Sequence, residues 1–263
     1  GKTMTVPQLA ATDRSDYRLS ASVSWWDPGA ECTLIMSQPS VDPDLWEQYL
    51  RGAERSYRKR GVERALDVAA IRDGQDTIMF WATVDMAGRM VGGVRAMGPL
   101  RSADDSHAVV EWAGQPGLQA VRKMITDRVP FGILEMKSAW VTDDPNRNRS
   151  VTRALARSGF HAMAALDLQF CMATSAPHVL DRWRSSGGVV APIPATPYPD
   201  ARYRTKMMWW DRRTFAQHAE REQVSRILME ISAMDQGFRE ADEIGAQRVE
   251  HLHLQVLGFR QAQ

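Results

Sequence analysis

The first part of the chain combines one amphipathic segment with two continuous apolar runs. Apolar residues recur at helical spacing over residues 44–60, and Gly61 is a fitting end for the helix that this spacing predicts. Residues 77–84 and 89–97 are rich in aliphatic, aromatic and β-branched side chains, a pattern typical of buried strands. Because only residues 85–88 separate the two runs, we predict an antiparallel pair.

The rest of the chain alternates further strands with helices. The strand pattern is strongest over residues 131–141. The same rules predict strands at 109–112, 166–174 and 203–210, and helices at 117–127, 148–160 and 177–187. An antiparallel pair followed by strands interleaved with helices indicates an α+β domain.

The two ends of the chain differ from this middle part. Residues 1–40 are polar with a turn pattern at 25–29, and we predict a loosely packed N-terminal arm. Residues 41–212 form the predicted domain, and residues 213–263 form a C-terminal helical extension. Within the extension, we expect Gly237 to break one helix before a second begins.

Each C-terminal helix carries an apolar stripe, and the second is predicted over residues 239–258. The stripes comprise Val224, Ile227, Leu228, Ile231 and Met234, then Leu252, Val256 and Phe259. Helices of this length need tertiary or quaternary packing to be stable in water. The stripes would therefore pack on the chain's own sheet, cap a ligand pocket, or form a twofold homodimer.

Composition excludes several classes of protein. The 263 residues carry 33 Lys+Arg against 32 Asp+Glu, so no basic field for nucleic acid is present. No apolar run approaches the roughly 20 residues of a membrane span. Cys32 and Cys171 lack a CxxC pattern, and the residues before Met4 lack a signal-peptide pattern, so we expect a cytoplasmic protein. The six histidines show no metal-ligand spacing, so we predict no metal and no permanently bound cofactor.

The turn after the strongest strand has features of an anion site. A helix N-terminus exposes unpaired N–H groups, and Arg147 and Arg149 lie where we expect one. Guanidinium groups pair well with phosphate. The small side chains of Asn148, Ser150 and Thr152 would let a ligand approach the backbone. The alternative is an ordinary solvated turn with two exposed arginines.

Glu135 is a candidate general base. It lies inside the strongest strand, where alternation places it on one face with Ile133, Lys137, Ala139 and Val141. A carboxylate in an apolar strand costs free energy unless it is paired or functional. Burial would raise its pKa towards the range of a general base. The alternative is an ion pair with Lys137 or an arginine. Glu111, in the short strand predicted at 109–112, is a second candidate base.

The order of these elements resembles the GNAT acyltransferase superfamily. That family follows its central strand with Arg/Gln-x-x-Gly-x-Gly/Ala, often after Val-x-Pro and before a spaced Leu. Val141, Pro145, Arg147 and Leu155 fall in compatible order, while Ser150 and Thr152 stand where glycine or alanine is usual. The resemblance implies a GNAT-like, mostly antiparallel central sheet flanked by helices. It also implies that a donor's phosphates are held by Val141, Arg147, Asn148, Arg149, Ser150, Val151 and Thr152.

A closer resemblance is to the acyl-homoserine-lactone synthases and N-acyl amino acid synthases. Their strand Val-Val-Gly-x-x-Arg-Leu is similar to residues 90–96, and their strand Trp-Glu-Leu-Ser-Arg-Phe-Ala-Val is similar to residues 134–141. Arg95 and Glu135 match the family's arginine and glutamate, whereas Ser138 replaces its second arginine. The resemblance implies that Arg95 and Ser138 bind substrate and that Glu135 acts on the amine.

The resemblance implies an N-acyltransferase. An acyl group, with long chains among the candidates, would move from acyl-CoA or an acyl carrier protein to an amine such as that of an amino acid. The partners would be the small-molecule amine and the acyl donor. The alternative is a non-catalytic ligand sensor or assembly module on the same fold, with the C-terminal helices as its partner surface.

Overall fold

The core of the protein is one eight-stranded sheet, seen in a computed structural model that describes residues 16–240. The strands are β1 (Val23–Asp27), β2 (Cys32–Ser37), β3 (Met79–Asp85), β4 (Met90–Met97), β5 (Ile133–Val141), β6 (Phe170–Ser175), β7 (Val189–Val190) and β8 (Lys206–Asp211). Their order is β1-β2-β3-β4-β5-β6-β8-β7, and only β5 and β6 pair in parallel. The mostly antiparallel α+β fold predicted from the sequence is confirmed.

Helices cover both faces of this sheet. They are α1 (Pro43–Lys59), α2 (Val68–Ile71), α3 (His107–Glu111), α4 (Leu118–Arg128), α5 (Pro145–Leu155), α6 (Ser158–Leu166), α7 (Pro177–Trp183) and α8 (residues 221–240). Helices α1, α3 and α4 pack on one face, and α5, α6 and α8 pack on the other. None of the helices in this described part of the chain combines the length and hydropathy that crossing a membrane requires.

Helix α1 shows how the sequence sets a local structure. The carboxylate of Asp42 accepts the backbone N–H of Leu45, which satisfies one unpaired donor of the first turn. One face of the helix is buried against β3, β4 and β5. Gly52 on that face allows contact with the indole of Trp140, because a Cβ there would lie 2.0 Å from the ring. The predicted helix at 44–60 is confirmed within one residue at each end.

The prediction of a loosely packed N-terminal arm is wrong for β1 and β2. These strands form an antiparallel pair, and β2 continues the sheet through its pairing with β3. The pattern was missed because β1 is a short edge strand. Its outward residues Ser24 and Trp26 are exposed, while its inward residue Asp27 is a buried charge rather than an apolar side chain.

The predicted short strand at 109–112 is also wrong, because these residues lie in or directly after α3. The Ser106 hydroxyl accepts the backbone N–H of Ala108 at 3.1 Å and caps the helix. One helical turn then buries Ala108 and Glu111, with Trp112 directly after it. Burial of these side chains outweighs the strand preference of the two valines between them.

The predicted helix at 148–160 is two helices. Helix α5 begins three residues earlier, where Asp144 caps it by accepting the N–H of Asn146. The chain then turns at Ala156 and Arg157 before α6. Helix α6 occupies the start of the strand predicted at 166–174, so β6 begins only at Phe170.

Helix α8 packs on the chain's own core. Ile227 and Met234 are fully buried, whereas Leu228 of the predicted stripe is 59% exposed. The predicted break at Gly237 is wrong, since residues 221–240 form one continuous helix. The rest of the second predicted helix, with Leu252, Val256 and Phe259, lies outside the described residues. A homodimer through these helices stays a prediction.

A buried ionic cluster joins α8 to the sheet, and Arg157 is its centre. Its guanidinium donates to the carboxylates of Asp27 and Glu230, both at 2.8 Å. His161 lies 3.0 Å from Glu230, and Arg226 contacts Asp27 at 3.1 Å. Burial alone would raise the pKa of Glu230, but hydrogen bonds from His161 and Arg157 outweigh this effect and lower the pKa to about 2. Burial also lowers the pKa of His161.

This cluster predicts a protein that loses stability in acid. The carboxyl of Glu230 titrates near 4.3 in an unfolded chain and near 2 in the fold, so its contribution is present above about pH 4.3 and lost as the pH falls towards 2. Neutral buried His161 adds a loss of the same sign below about pH 6.5. Urea unfolding from pH 7 to pH 3 measures this.

Glu230→Gln is the matched variant for this measurement. We expect its destabilisation relative to the parent to shrink as the pH falls from 5 to 3, because Glu230 of the unfolded parent then takes up a proton while the folded carboxylate stays charged. A difference that stays constant over this range would contradict the prediction.

Candidate active site

The sheet divides between its two central strands. Strands β5 and β6 pair only from Ile133–Phe170 to Glu135–Met172. Beyond this point, β5 stays with β4 and β6 stays with β8, and the twist of the sheet separates them. The gap is a cavity of about 400 Å³, lined by Met136–Ala139 of β5, by Ala173–Ser175 of β6 and by α7.

A β-bulge at Ser138 shapes the cavity wall. Two residues of β5, Ser138 and Ala139, stand opposite the single residue Val94 of β4. Ser138 has φ +56°, a left-handed conformation that is uncommon outside glycine. The bulge also reverses the face of the strand, so Ala139 and Val141 pack on the opposite side of the sheet from Ile133. The predicted single face from 133 to 141 is therefore wrong beyond Lys137.

Arg95 reaches the bulge from β4. Its buried guanidinium donates to the Ser138 hydroxyl at 3.2 Å and to the Thr77 hydroxyl at 3.1 Å, and lies 3.3 Å from the Asp76 carboxylate. Ser138 lines the cavity, whereas Arg95 is not among the lining residues. Of the two predicted substrate-binding residues, the structure thus places Ser138 at the cavity and Arg95 behind it.

Glu111 is a carboxylate in the cavity wall. It lies at the end of α3 and is 7% exposed. Its Oε1 accepts a hydrogen bond of 2.6 Å from the Thr174 hydroxyl of β6. Its backbone carbonyl accepts another of 2.6 Å from the Thr196 hydroxyl. These bonds fix the carboxylate at the point where the two halves of the sheet separate.

A lysine and a histidine complete this polar edge. Lys137 Nζ lies 2.9 Å from His107 Nδ1, and His107 Nδ1 lies 3.9 Å from Glu111 Oε1. Burial, together with the charges of Lys137 and Arg95, lowers the pKa of His107 to about 4. The imidazole is therefore neutral at pH 7, and its Nδ1 accepts a hydrogen bond from the Lys137 ammonium. Lys137 and Glu111 place opposite charges in one cavity.

Glu135 is fully buried beneath this edge, and it does not line the cavity. Within residues 16–240, neither carboxylate oxygen has a hydrogen-bond partner, and burial raises the pKa of the group. Among the described residues, no ion pair joins it to Lys137 or to an arginine within 4.0 Å. The described residues therefore do not contain the ion pair that was the alternative interpretation of Glu135. The catalytic role of Glu135 stays a prediction.

A second concavity of about 880 Å³ lies between α5 and α7, and we call it the arginine groove. It is lined by Arg149 and Arg153 of α5, by Arg182 and Arg184 in and after α7, and by His218. Asp143, Asp181 and Glu220 stand among them. All three acids are paired, Glu220 with Arg153 at 2.6 Å, Asp181 with Arg184 at 3.6 Å, and Asp143 with Lys59.

The predicted phosphate-binding residues separate into two groups. Asn148, Arg149 and Thr152 line the arginine groove. Arg147 instead turns towards the sheet, where its guanidinium lies 3.5 Å from Cys32 Sγ and 3.9 Å from Asp85.

Thr152 and the remaining predicted phosphate-binding residues also have partners within the protein. Val151 is fully buried in the core, and Val141 ends β5. The hydroxyl of Ser150 donates to the Arg147 carbonyl at 3.1 Å, and that of Thr152 donates to the Asn148 carbonyl at 2.7 Å. Binding of a donor by this set stays a prediction.

Several residues of both concavities were missed from the sequence. In the groove these are Arg153, Arg182, Arg184 and His218, and in the cavity they include Tyr57, Arg60, Lys137, Thr174 and Tyr198. A usable signal existed for the arginines alone. Helices that follow two adjacent parallel strands begin at the same edge of the sheet, so a predicted parallel pair would have brought the basic residues of α5 and α7 together.

Comparison with known sequences places the chain in a family. No protein-family model matches it. It is 58% identical over 228 residues to Uncharacterized protein Mb1391c of Mycobacterium bovis and equally to Uncharacterized protein Rv1356c of Mycobacterium tuberculosis. The match covers 86% of this chain and 87% of each relative. The chain belongs to the family of these mycobacterial proteins.

Three solved structures with a similar fold have lower identity. BjaI, a CoA-dependent acyl-homoserine lactone synthase, is 17% identical with TM-score 0.49, covering 75% of this chain and 88% of its own. FeeM, an N-acyl amino acid synthase from uncultured soil microbes, is 12% identical with TM-score 0.47, covering 76% and 94%. A GNAT superfamily phosphinothricin acetyltransferase from Sinorhizobium meliloti is 14% identical with TM-score 0.45, covering 69% and 88%.

Proposed function

We propose that the protein is an N-acyltransferase that moves an acyl group from a thioester donor to an amine. The observation that carries the proposal is the cavity between β5 and β6, which is lined both by a fixed carboxylate, Glu111, and by Ser138 and Ala139 of β5, beyond the pairing of β5 with β6. A general base and backbone N–H donors facing one space are what acyl transfer to an amine needs.

The proposed reaction uses these groups in one sequence. The amine nitrogen attacks the thioester carbonyl carbon, and its proton passes to the Glu111 carboxylate. Backbone N–H groups of the bulge stabilise the oxyanion that forms on the carbonyl oxygen. The carbon–sulfur bond then breaks, the amide forms, and the leaving thiolate takes up the proton. Thr174 donates to Glu111 and so fixes the orientation of the base.

The charges of the cavity suit an acceptor that also carries a carboxylate. Lys137 and Arg60 both line it, and the Lys137 ammonium lies on the same edge as Glu111. An α-amino acid offers an amine to the base and a carboxylate to the cations. We therefore place an amino acid first among the candidate acceptors.

The arginine groove is the proposed site of the donor's phosphates. Arg149 and Arg182 reach it from two different helices, and Arg182 also donates to the Asn148 side chain at 3.3 Å. Guanidinium groups on two sides suit a phosphate with several free oxygens. Acyl-CoA and the phosphopantetheine of an acyl carrier protein share this chemistry. Calorimetry with CoA alone and with a loaded carrier protein separates the two donors.

Removing the groove arginines should weaken donor binding. Arg149→Ala and Arg182→Ala should each reduce the affinity for CoA roughly tenfold or more, because a hydrogen bond to a charged group contributes about 1.5–3 kcal/mol. Isothermal calorimetry measures the dissociation constants. Arg122→Ala, which breaks an exposed ion pair with Asp104 at 2.9 Å, is the control and should leave CoA binding unchanged. Equal affinity of all three variants and the parent would remove the groove from the proposal.

A direct test of the function is the release of free thiol from a panel of acyl-CoAs in the presence of amino acids. Thiol release that requires both substrates, with an N-acyl amino acid detected by mass spectrometry, would support the transferase. Tight binding of an acyl-CoA without turnover across the panel would support the ligand-sensing alternative.

A further inference from the structure

The bulge at Ser138 is the most unusual backbone feature at the cavity. Ser138 adopts φ +56° without being a glycine, so its neighbours must hold it there. It is 9% exposed, and it forms the cavity wall together with Ala139. When neighbouring residues maintain an unfavourable backbone conformation at a candidate active site, the site requires that backbone geometry.

Two buried side chains hold Ser138, one through its backbone carbonyl and the other through its hydroxyl. The Tyr49 hydroxyl of α1 donates to the Ser138 carbonyl at 2.7 Å. The Arg95 guanidinium of β4 donates to the Ser138 hydroxyl at 3.2 Å. Arg95 is itself fixed by Thr77 and Asp76 at the start of β3. Backbone and side chain of Ser138 are thus tied to two separate elements.

The sequence of β4 is adapted to the first contact. Tyr49 is fully buried and crosses β4 at Gly93, where a Cβ would lie 2.6 Å from the Tyr49 ring. Any side chain at Gly93 would therefore push the phenol away from Ser138. Burial also raises the pKa of Tyr49 above its ordinary value, so the hydroxyl remains protonated and able to donate.

We infer that Tyr49 and Arg95 are positioning residues that hold the Ser138 bulge in the conformation that directs its backbone N–H groups into the cavity. The effect of this positioning on turnover rests on the proposed function. It assigns to Arg95 a role through Ser138 rather than in direct contact with substrate. Neither residue transfers a proton.

Replacement of Ser138 by glycine should make the bulge less dependent on Tyr49. A glycine at position 138 adopts positive φ without steric cost, so its bulge depends less on outside support. The effect of Tyr49→Phe should therefore be smaller when Ser138→Gly is also present. A tyrosine that merely stabilises the core would have the same effect in both backgrounds.

The test uses the full chain with four variants: Tyr49→Phe, Ser138→Gly, the double variant and Tyr17→Phe. Tyr17→Phe is a matched control, because Tyr17 is only partly buried against the core and is not one of the residues that line the cavity. Amide resonances and hydrogen exchange of residues 138–140 are measured by NMR, and turnover is measured with the acyl-CoA and amino acid pair found active.

We expect Tyr49→Phe to shift the amides of Ser138 and Ala139 and to speed their exchange tenfold or more. Turnover should fall about tenfold with an unchanged KM for the donor. The double variant should show less than a third of each effect. Unshifted amides in Tyr49→Phe, or equal effects in both backgrounds, would overturn the inference.

Two further outcomes separate the inference from the proposed function. If the NMR coupling is found but no acyl-CoA and amine pair reacts, the positioning is upheld and the transferase proposal fails. If Tyr49→Phe does not fold, Ser138→Ala removes only the hydroxyl that Arg95 contacts. Amide exchange of Ala139 that becomes tenfold faster or more would then uphold the anchoring by Arg95, and unchanged exchange would overturn it.

Discussion

Glu111→Gln is expected to lower turnover by roughly 10²–10⁴-fold, the usual contribution of a general base. The change keeps the size of the side chain and its hydrogen bond from Thr174, but it removes the negative charge that accepts the proton. Affinity for the acyl donor should stay within about twofold, because the arginine groove lies on α5 and α7 rather than on α3. Steady-state kinetics and calorimetry measure the two quantities.

Glu135→Gln is the matched control, since it makes the same change on the neighbouring carboxyl. Glu135 is fully buried and does not line the cavity, so we expect its removal to change turnover far less than the change at Glu111. A folded Glu135→Gln protein that loses the greater part of its turnover would transfer the role of base to Glu135. Equal turnover of both variants and the parent would leave the reaction without a carboxylate base.

Arg157→Met is expected to be the most destabilising single change, by about 3–5 kcal/mol. Methionine retains much of the length of the side chain, but the carboxylates of Asp27 and Glu230 lose the guanidinium that they share. The two buried carboxylates would then depend on Arg226, which is 20% exposed, and on His161 beside Glu230. A loss of this size lowers the melting temperature by roughly 10 °C.

Arg153→Met provides the comparison one helical turn away. Arg153 pairs with Glu220 at 2.6 Å, but Glu220 is 56% exposed, and such pairs contribute about 0–1 kcal/mol. Urea unfolding at pH 7 distinguishes the two variants. Similar losses for both would show that the cluster around Arg157 contributes no more than a surface pair.

Much of the fold was predictable because local patterns and burial agree. The helix at 44–60 has a cap, an apolar stripe and a terminal glycine, and the strand predicted at 131–141 is apolar over most of its length. The predictions failed where a local pattern was outweighed by a partner distant in sequence. β1 is completed by β2 and by the cluster at Arg157, and α3 by burial of Glu111 and Trp112.

The candidate site was only partly predictable for the same reason. Ser138 was named from a family pattern, and the structure places it in the cavity wall. Glu111 took second place to Glu135, because alternation along a strand says which residues share a face but not where a sheet divides. The bulge itself has no signature in the sequence, since serine is an unusual residue for positive φ.

The sequence by itself determined the fold class and the longer elements in the middle of the chain: apolar periods of two and of about 3.6 residues, with turns between them, specify an α+β chain with a helix after its central strand. Only the tertiary structure decided which carboxylate meets the cavity. Thr174 and Glu111 are 63 residues apart, and they meet because β5 and β6 pair over three residues and then separate. That separation follows from the twist and pairing of the whole sheet, which no local segment encodes.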